Sequence, residues 1–315
     1  MSFDARFVVV ALAAFAVANL GSSALVPALW RRRATGPRPL SALDLRHLRL
    51  LPAVVALLSL ALAALSFVCF EPREPETIGR VMMGLAGLSA LLLAGAAVRI
   101  GRLVRTSRRA AALGMIDPAP IRLDGWSHPA FAVSVPFPIV AVIGVWRPRL
   151  LVARAVLAAC SADEIRAIVA HERGHADRRD NLFRLLLAVT PDVLSWMPFA
   201  SRFAAAWHDA AEDDADDGAA ALGDRGRLLL AEALIRVARL RPAGLTSPAI
   251  LPASALYRGE SIERRVRRLV APPAAPPAQD GPWQRLAARA ALVITCVLAL
   301  KAVYEVLEAA VTFLP

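Results

Sequence analysis

The sequence is poor in cysteine, lysine and aromatic residues. Its three cysteines, Cys69, Cys160 and Cys296, are odd in number and far apart, so neither a disulfide framework nor a cysteine-bound zinc is expected. The net charge of +11 would suit a nucleic-acid-binding protein. However, Lys301 is the only lysine, and the arginines are scattered without interleaved aromatic residues. We therefore expect no nucleic-acid partner.

Charged residues are absent from three long stretches of the chain, residues 7–30, 50–70 and 81–98. Each stretch is about long enough to cross a hydrocarbon core of roughly 30 Å, although a buried core helix is an alternative for the shortest. Hydrophobic residues make up 57% of the chain, more than the roughly 45–50% of soluble domains. A fourth span is predicted over about residues 286–304, with residues 306–315 outside. The chain is thus expected to be a multi-pass protein of the lipid bilayer.

The arginines indicate which side of the membrane each loop occupies. They cluster after the first and third stretches, whereas the loop after the second contains Glu71, Glu74 and Glu76 around a single Arg73. Basic loops face the cytoplasm. This predicts an external amino terminus and a cytoplasmic location for the chain between the third and fourth spans.

One short motif in that cytoplasmic part specifies chemistry, H-E-x-x-H at residues 171–175. On a helix, His171 and His175 lie on one face, one turn apart, where both can bind a single zinc ion. Glu172 projects roughly a quarter-turn away, from which it can act on a zinc-bound water without binding the metal. Ser161 and Glu164 form a predicted capping box two to three turns earlier. The alternative is a solvated helix that happens to carry two histidines.

A catalytic zinc needs a third protein ligand, and the acidic helix predicted at residues 208–218 offers one. Glu212 is the expected ligand. Asp216, one turn further on, is expected to accept a hydrogen bond from the non-ligating nitrogen of a zinc-bound histidine. The alternative for both is a solvated acidic helix face, which we expect for the neighbouring aspartates 213, 214 and 217.

The chain before this motif is rich in β-forming residues over residues 131–138 and 139–146, and residues 147–149 are predicted to turn into residues 150–152, so that these segments build a small sheet. Together with the motif, these residues resemble the integral-membrane zinc peptidases typified by the beta-lactam sensor-transducers, or antirepressors. The resemblance covers about residues 131–220. It rests on Pro136-Phe137, Gly144, Pro148, Leu150 to Val152, Ser161 to Ile165, the H-E-x-x-H motif, Arg178 to Asp180, Trp196 to Pro198, and Glu212 with Asp216.

The resemblance implies a bacterial-type inner membrane, one zinc ion per chain bound by the two histidines and the glutamate, and the H-E glutamate as base. It implies a repressor or another regulator as substrate. The external penicillin-binding sensor of the signalling members is not expected, because the sequence ends at Pro315. Arg265 resembles an arginine of related membrane peptidases that stabilises the oxyanion. The alternative interpretation of this segment is a basic helix that contacts phosphate headgroups. His208 is an oxyanion donor, a partner of the metal ligands or a surface histidine.

We therefore predict a mainly α integral membrane protein in three parts. Residues 1–100 form three transmembrane helices, residues 101–284 a cytoplasmic zincin-like α+β metallopeptidase domain, and residues 285–315 the fourth span with a short external tail. Residues 182–207 are predicted to dip into the membrane or pack against the spans. The expected function is zinc-dependent endoproteolysis of a regulator. The alternative functions are quality control of membrane proteins and a catalytically silent receptor or scaffold. A homodimer is also possible from the sequence.

Overall fold

A computed structural model describes residues 2–34, 40–70, 77–114, 118–220, 222–240 and 259–271. The chain forms two compact units. The first contains residues 1–99 and 189–203, and the second contains residues 100–188 and 204–274, together with segments outside the described residues. The predicted fourth span and the proline-rich segment before it also lie outside the described residues.

The first unit contains the long apolar helices α1 (Phe3–Ala34) and α2 (Ala42–Phe70) and most of α3 (Arg80–Gly114), which belongs to the second unit from Ile100 on. Each is long and apolar enough to cross a membrane, which confirms the three predicted apolar helices. Small side chains on α1, among them Ala14 and Ala18, pack with Val55 and Ala56 of α2. Such small residues let two helix backbones approach closely where lipid provides no hydrophobic force between them.

A four-stranded mixed sheet begins the second unit. Its strands are β1 (Ala119–Ile121), β2 (Ala130–Val133), β3 (Val140–Ile143) and β4 (Arg149–Ala153). Their order is β1-β2-β4-β3; β2 and β4 are parallel, and the two outer pairs are antiparallel. In the β3–β4 turn, Gly144 has φ of +91°, and a β-carbon there would lie 2.5 Å from the Arg147 carbonyl oxygen. Only glycine fits such a turn.

Six α-helices and a 3₁₀ turn follow the sheet within the described part of the chain. They are α4 (Arg154–Ala159), α5 (Ala162–Asp177), α6 (Asp180–Val189), the 3₁₀ turn (Val193–Trp196), α7 (Phe199–Ala220), α8 (Asp224–Arg239) and α9 (Gly259–Val270). Ile168 and Val169 of α5 are buried in one core with Leu150 of β4 and Leu230 of α8. The sheet and α8 therefore both pack against α5, and the predicted mainly helical chain with a small sheet is confirmed.

The start of α5 is fixed by the predicted capping box. The Ser161 hydroxyl accepts from the Glu164 amide at 3.2 Å, and the Ser161 amide donates to the Glu164 carboxylate at 2.6 Å. The other oxygen of Glu164 accepts from Arg236 of α8 at 2.9 Å. Because both contacts fix the first turn of α5, the H-E-x-x-H motif two to three turns later is held in a defined register.

Residues 182–207 are not one apolar helix. Most of α6 belongs to the second unit, residues 189–203 belong to the first, and α7 continues into the second unit from Ala204. Packing of residues 189–203 against α1 is seen in the ring pairs of Trp30 with Phe199 and Phe203, at 4.8 and 5.6 Å. The segment thus packs with the apolar helices, and its entry into a membrane stays a prediction.

Candidate metal centre

The two histidines of the motif project from one face of α5. His171 and His175 are both buried, their ring centroids lie 4.8 Å apart, and the ring planes are nearly perpendicular. Glu172 is also fully buried. The spacing of four residues produces this arrangement because it corresponds to about one helical turn.

Helix α7 brings Glu212 to these histidines. Its Oε2 lies 3.6 Å from Nε2 of His171, and its Oε1 lies 3.5 Å from Nε2 of His175. All three ligand atoms lie within 4.8 Å of one another. Tetrahedral zinc with ligands at about 2.1 Å holds its ligand atoms about 3.4 Å apart. The spacing therefore suits one metal ion.

Close approach of α5 and α7 makes this convergence possible. A β-carbon on Gly174 would lie 3.3 Å from the Cα atom of Ala215, so a larger residue would push α7 away. Arg178, at the end of α5, donates to the backbone carbonyls of Asp214 at 3.0 Å and Ala211 at 3.4 Å. Gly174 therefore allows the close approach of the two helices, and the hydrogen bonds of Arg178 hold them together.

Each histidine also contacts a carboxylate through its other ring nitrogen. Nδ1 of His171 lies 2.9 Å from Asp216, and Nδ1 of His175 lies 2.7 Å from Asp180. With Nδ1 donating to a carboxylate, the Nε2 lone pair points toward the shared position. The contact of Asp216 is the one expected from the sequence, and its role stays a proposal.

Asp180 is a buried partner that sequence reasoning missed as a site residue. It is the first residue of α6, and Arg179 before it has φ of +55°, which turns the chain sharply back toward α5. A carboxylate five residues after the second histidine was the available signal. This carboxylate reaches His175 only because of the sharp turn at Arg179. A positive φ at a residue other than glycine is uncommon, and no pattern in the sequence predicts it here.

A second observation, besides the spacing of the ligand atoms, indicates that these residues can bind a metal ion. Among the described residues, Nε2 of His175 is buried and has no hydrogen-bond partner, and neither has Oε1 of Glu212. Buried polar atoms are almost always satisfied, so a buried set of orphaned ligand atoms around one position indicates a missing partner. Two imidazoles and one carboxylate leave a fourth position open, as in catalytic zinc sites.

Arg265 of α9 supplies positive charge beside this group. It is only 1% exposed; its Nε and Nη2 contact Asp216 at 3.0 and 2.5 Å, and its Nη1 lies 2.9 Å from Oε2 of Glu212. A side chain this deeply buried does not itself meet phosphate headgroups, whereas contact of the exposed arginines of α9 with headgroups stays a prediction. Burial opposes the charged form, but the surrounding carboxylates outweigh it and raise the pKa of Arg265. Oxyanion stabilisation stays a prediction.

The neighbouring acidic residues hold α9 in place. Arg264 contacts both carboxylate oxygens of Asp213 at 2.7 and 2.8 Å, and Arg268 contacts Asp217 at 2.6 Å. The sequence predicted a solvated face here. Asp217 is exposed but Asp213 is partly buried, and both pair with arginines on either side of Arg265 along α9, which directs that side chain toward α7.

Electrostatics favour the metal-binding forms of Glu212 and His171. Burial raises the pKa of Glu212, but the charges of His175 and Arg265 outweigh it and bring that pKa to about 2. Burial likewise opposes ionisation of Asp216, yet its hydrogen bond to His171 and the charge of Arg265 hold its pKa below the usual range. Burial and then Arg265 lower the pKa of His171. At neutral pH the carboxylates are therefore ionised and His171 is neutral.

His208 lies one turn before Glu212 on α7. Its Nδ1 is 3.9 Å from Oε1 of Glu212, and its side chain is partly exposed. This places His208 at the edge of the candidate metal centre rather than within the group of ligand atoms. Both of its expected roles, donor to the oxyanion and partner of a ligand, stay predictions.

Comparison with known families agrees with this geometry. Residues 128–269, which include every candidate site residue, match the family model described as BlaR1 peptidase M56. The resemblance to the sensor-transducer peptidases is thereby confirmed over this region, and the family is one of membrane-associated metallopeptidases. No curated protein matches the chain.

The charge of Arg265 leads to a stability prediction. Arg265→Met should destabilise the metal-free protein by about 3–5 kcal/mol, because it leaves buried carboxylates without their cation. Added metal should offset part of this loss by replacing the positive charge. Thermal unfolding with and without a chelator measures both effects.

The matched control is Arg267→Met on the same helix, where the arginine is exposed and pairs with the exposed Glu263. It should change stability by less than about 1 kcal/mol. Equal melting temperatures for Arg265→Met and wild type without metal would contradict the assignment.

Proposed function

We propose that this chain, whose residues 128–269 match the BlaR1 peptidase M56 family, is a membrane-embedded zinc endopeptidase that cleaves a cytoplasmic regulatory protein. The observation that carries the proposal is the buried convergence of His171, His175 and Glu212, with Glu172 beside them on α5. A structural zinc site needs no carboxylate base, so the intact Glu172 favours catalysis.

Zinc is the proposed metal, at one ion per chain, because two imidazoles and one carboxylate with an open fourth position form a typical catalytic zinc ligand set. When bound, the zinc ion would lower the pKa of water to about 7 and polarise the scissile carbonyl. Asp216 and Asp180 orient the two imidazoles through hydrogen bonds to Nδ1.

Glu172 is the proposed general base. It follows His171 directly, so its side chain leaves α5 about 100° around the helix axis and remains free of the ligand set. Its buried carboxylate accepts a proton from the attacking water and delivers it to the leaving amine. Arg265, whose guanidinium also feels the charge of Glu172, keeps the surrounding carboxylates ionised and is a candidate partner for the oxyanion.

Substrate binding is proposed at the β3 edge of the sheet. Strand β3 is the last in the order β1-β2-β4-β3, so one of its sides is not paired with a described strand. Asn181, next to Asp180, donates to the carbonyls of Val142 and Gly144 at 2.9 and 3.1 Å. These two bonds join the end of β3 to the start of α6, where Asp180 contacts His175. An extended peptide added to this edge would present a backbone carbonyl there.

Glu172→Gln tests the catalytic proposal. The substitution keeps the shape of the side chain but removes the base, so turnover should fall by about 10²- to 10⁴-fold while metal content stays that of wild type. Membranes or detergent-purified protein are assayed for peptide cleavage by mass spectrometry, and metal is measured by elemental analysis.

Glu232→Gln on the exposed face of α8 is the matched control and should leave both quantities unchanged. Full cleavage by Glu172→Gln would remove Glu172 from catalysis. Proteins trapped by this variant identify the substrate class: a narrow set supports a regulator, and a broad set of damaged proteins supports quality control instead.

Membrane orientation is tested separately. Since arginines cluster at the end of α1, the start of α2 and the second half of α3, a reporter fused after residue 109 should be cytoplasmic, and one inserted at residue 75 should be external. Measurement of a periplasm-active and a cytoplasm-active reporter at both positions distinguishes the two orientations. The reverse pattern would put the active site outside and end the proposal of a cytoplasmic substrate.

A further inference from the structure

The side-chain amide of Asn181 lies against strand β3. Its nitrogen donates to the backbone carbonyl of Val142 at 2.9 Å and to that of Gly144 at 3.1 Å. An amide nitrogen carries two hydrogens, so one side chain can make both bonds at once. All three residues belong to the second compact unit, and Asn181 is half-buried.

Both carbonyls point away from the rest of the sheet. Val142 lies opposite Leu150 of β4 in an antiparallel pair, and the Leu150 amide donates away from β3, to the Pro129 carbonyl before β2, at 3.0 Å. Two directly opposed residues of an antiparallel pair either bond to each other or both point away. Val142, and Gly144 two residues on, therefore present their carbonyls at the outer edge, where β3 ends the described sheet.

A peptide added to this edge needs the same acceptors. In such an addition, backbone N–H groups of the peptide donate to the outward carbonyls of the edge strand. Asn181 already binds two successive outward carbonyls, and Val142 is only 2% exposed. Native sheets commonly have their edges blocked against unwanted pairing. A peptide therefore pairs with this part of β3 only after the Asn181 side chain has left it.

Release of Asn181 does not require movement of the metal centre. The preceding residue, Asp180, contacts His175 at 2.7 Å. Neighbouring residues of a helix project about 100° apart, so Asp180 and Asn181 reach different targets from the first turn of α6. Rotation about the side-chain bonds of Asn181 frees the β3 carbonyls while Asp180 stays in place. A change in peptide binding is therefore separable from a change in metal binding.

We infer that Asn181 competes with the substrate backbone for β3 and thereby controls how tightly a peptide binds at this edge. This inference rests on the proposed function, in which the substrate is bound on β3. Only a segment that is drawn out as a strand can replace both bonds, because its N–H groups must lie at strand spacing. The substrate class that follows is a flexible segment with free backbone amides. A segment held in a helix is excluded, because its N–H groups are already bonded.

The test measures peptide binding to the full chain in detergent, in a Glu172→Gln background that leaves the peptide uncut. The probe is fluorescein-labelled oxidised insulin B chain, and fluorescence anisotropy gives its Kd. Asn181→Ala should lower this Kd at least about fivefold, because two hydrogen bonds no longer have to be broken, each worth roughly a factor of two or more. Metal content should stay unchanged.

Two controls isolate these hydrogen bonds. Ser134→Ala removes the bond that Arg154 donates to the Ser134 hydroxyl at 3.0 Å and should leave the Kd unchanged. A copy of the insulin chain with methylated backbone amides cannot donate to Val142 or Gly144, so Asn181→Ala should bind it no more tightly than the parent does. Where Asn181→Ala does not fold, Asn181→Asp replaces it and should show the same gain, because it keeps the size but has no N–H donor.

The outcomes separate this inference from the proposed function. An unchanged or higher Kd in Asn181→Ala, with metal retained, would make the two bonds purely structural and the inference wrong. An equal gain for the methylated copy would overturn it too, since the peptide would then bind elsewhere. Loss of metal from both Asn181 variants would also overturn it, because Asn181 would then serve to hold Asp180. A chain with Glu172 intact that cleaves no insulin chain, although Asn181→Ala binds it more tightly, would refute the proposed function alone.

Discussion

The candidate metal centre depends on one close contact, the approach of α5 to α7 at Gly174. A β-carbon at this position would lie 3.3 Å from the Cα atom of Ala215, so the two helices are in close contact here. Glutamate has a short reach, and with the helices this close Glu212 lies 3.6 Å from His171 and 3.5 Å from His175. Packing of α5 with the sheet and α8, and the hydrogen bonds of Arg178 to α7, keep the helices in contact.

A second constraint is the balance of buried charge. Four carboxylates are buried in or beside the metal centre: Glu172, Asp180, Glu212 and Asp216. In a medium of low polarity each needs a cation or hydrogen-bond donors. Arg265 neutralises part of this charge, and its place is fixed by the arginines beside it on α9, which pair with the outer face of α7. The remaining negative charge, and the buried Nε2 of His175 that has no hydrogen-bond partner, favour binding of a divalent cation at this centre.

Sequence patterns predicted what depends on local spacing. The capping box, the placement of two histidines on one helix face and the three apolar helices follow from neighbours within a few residues, and Glu212 was found because its helix carries a regular acidic pattern. Asp180, the pairing of Arg265 and the contacts of Asn19 with Pro191 and Val193 were not found, because each joins residues that only tertiary structure brings together. Asn19 is a case in point: within residues 7–30 it is one polar residue among apolar ones, and its partner lies 174 residues away. Strand β1 escaped prediction because three residues that include a proline carry little strand signal.

The central claim is that two imidazoles and a carboxylate bind one metal ion in this buried centre. X-ray absorption at the zinc edge of the full-length protein tests it most directly, because it reports the ligand atoms themselves. The account predicts nitrogen and oxygen ligands at about 2.0–2.1 Å, with scattering from two imidazole rings and no sulfur. A sulfur shell at about 2.3 Å, or a zinc without imidazole ligands, would contradict it.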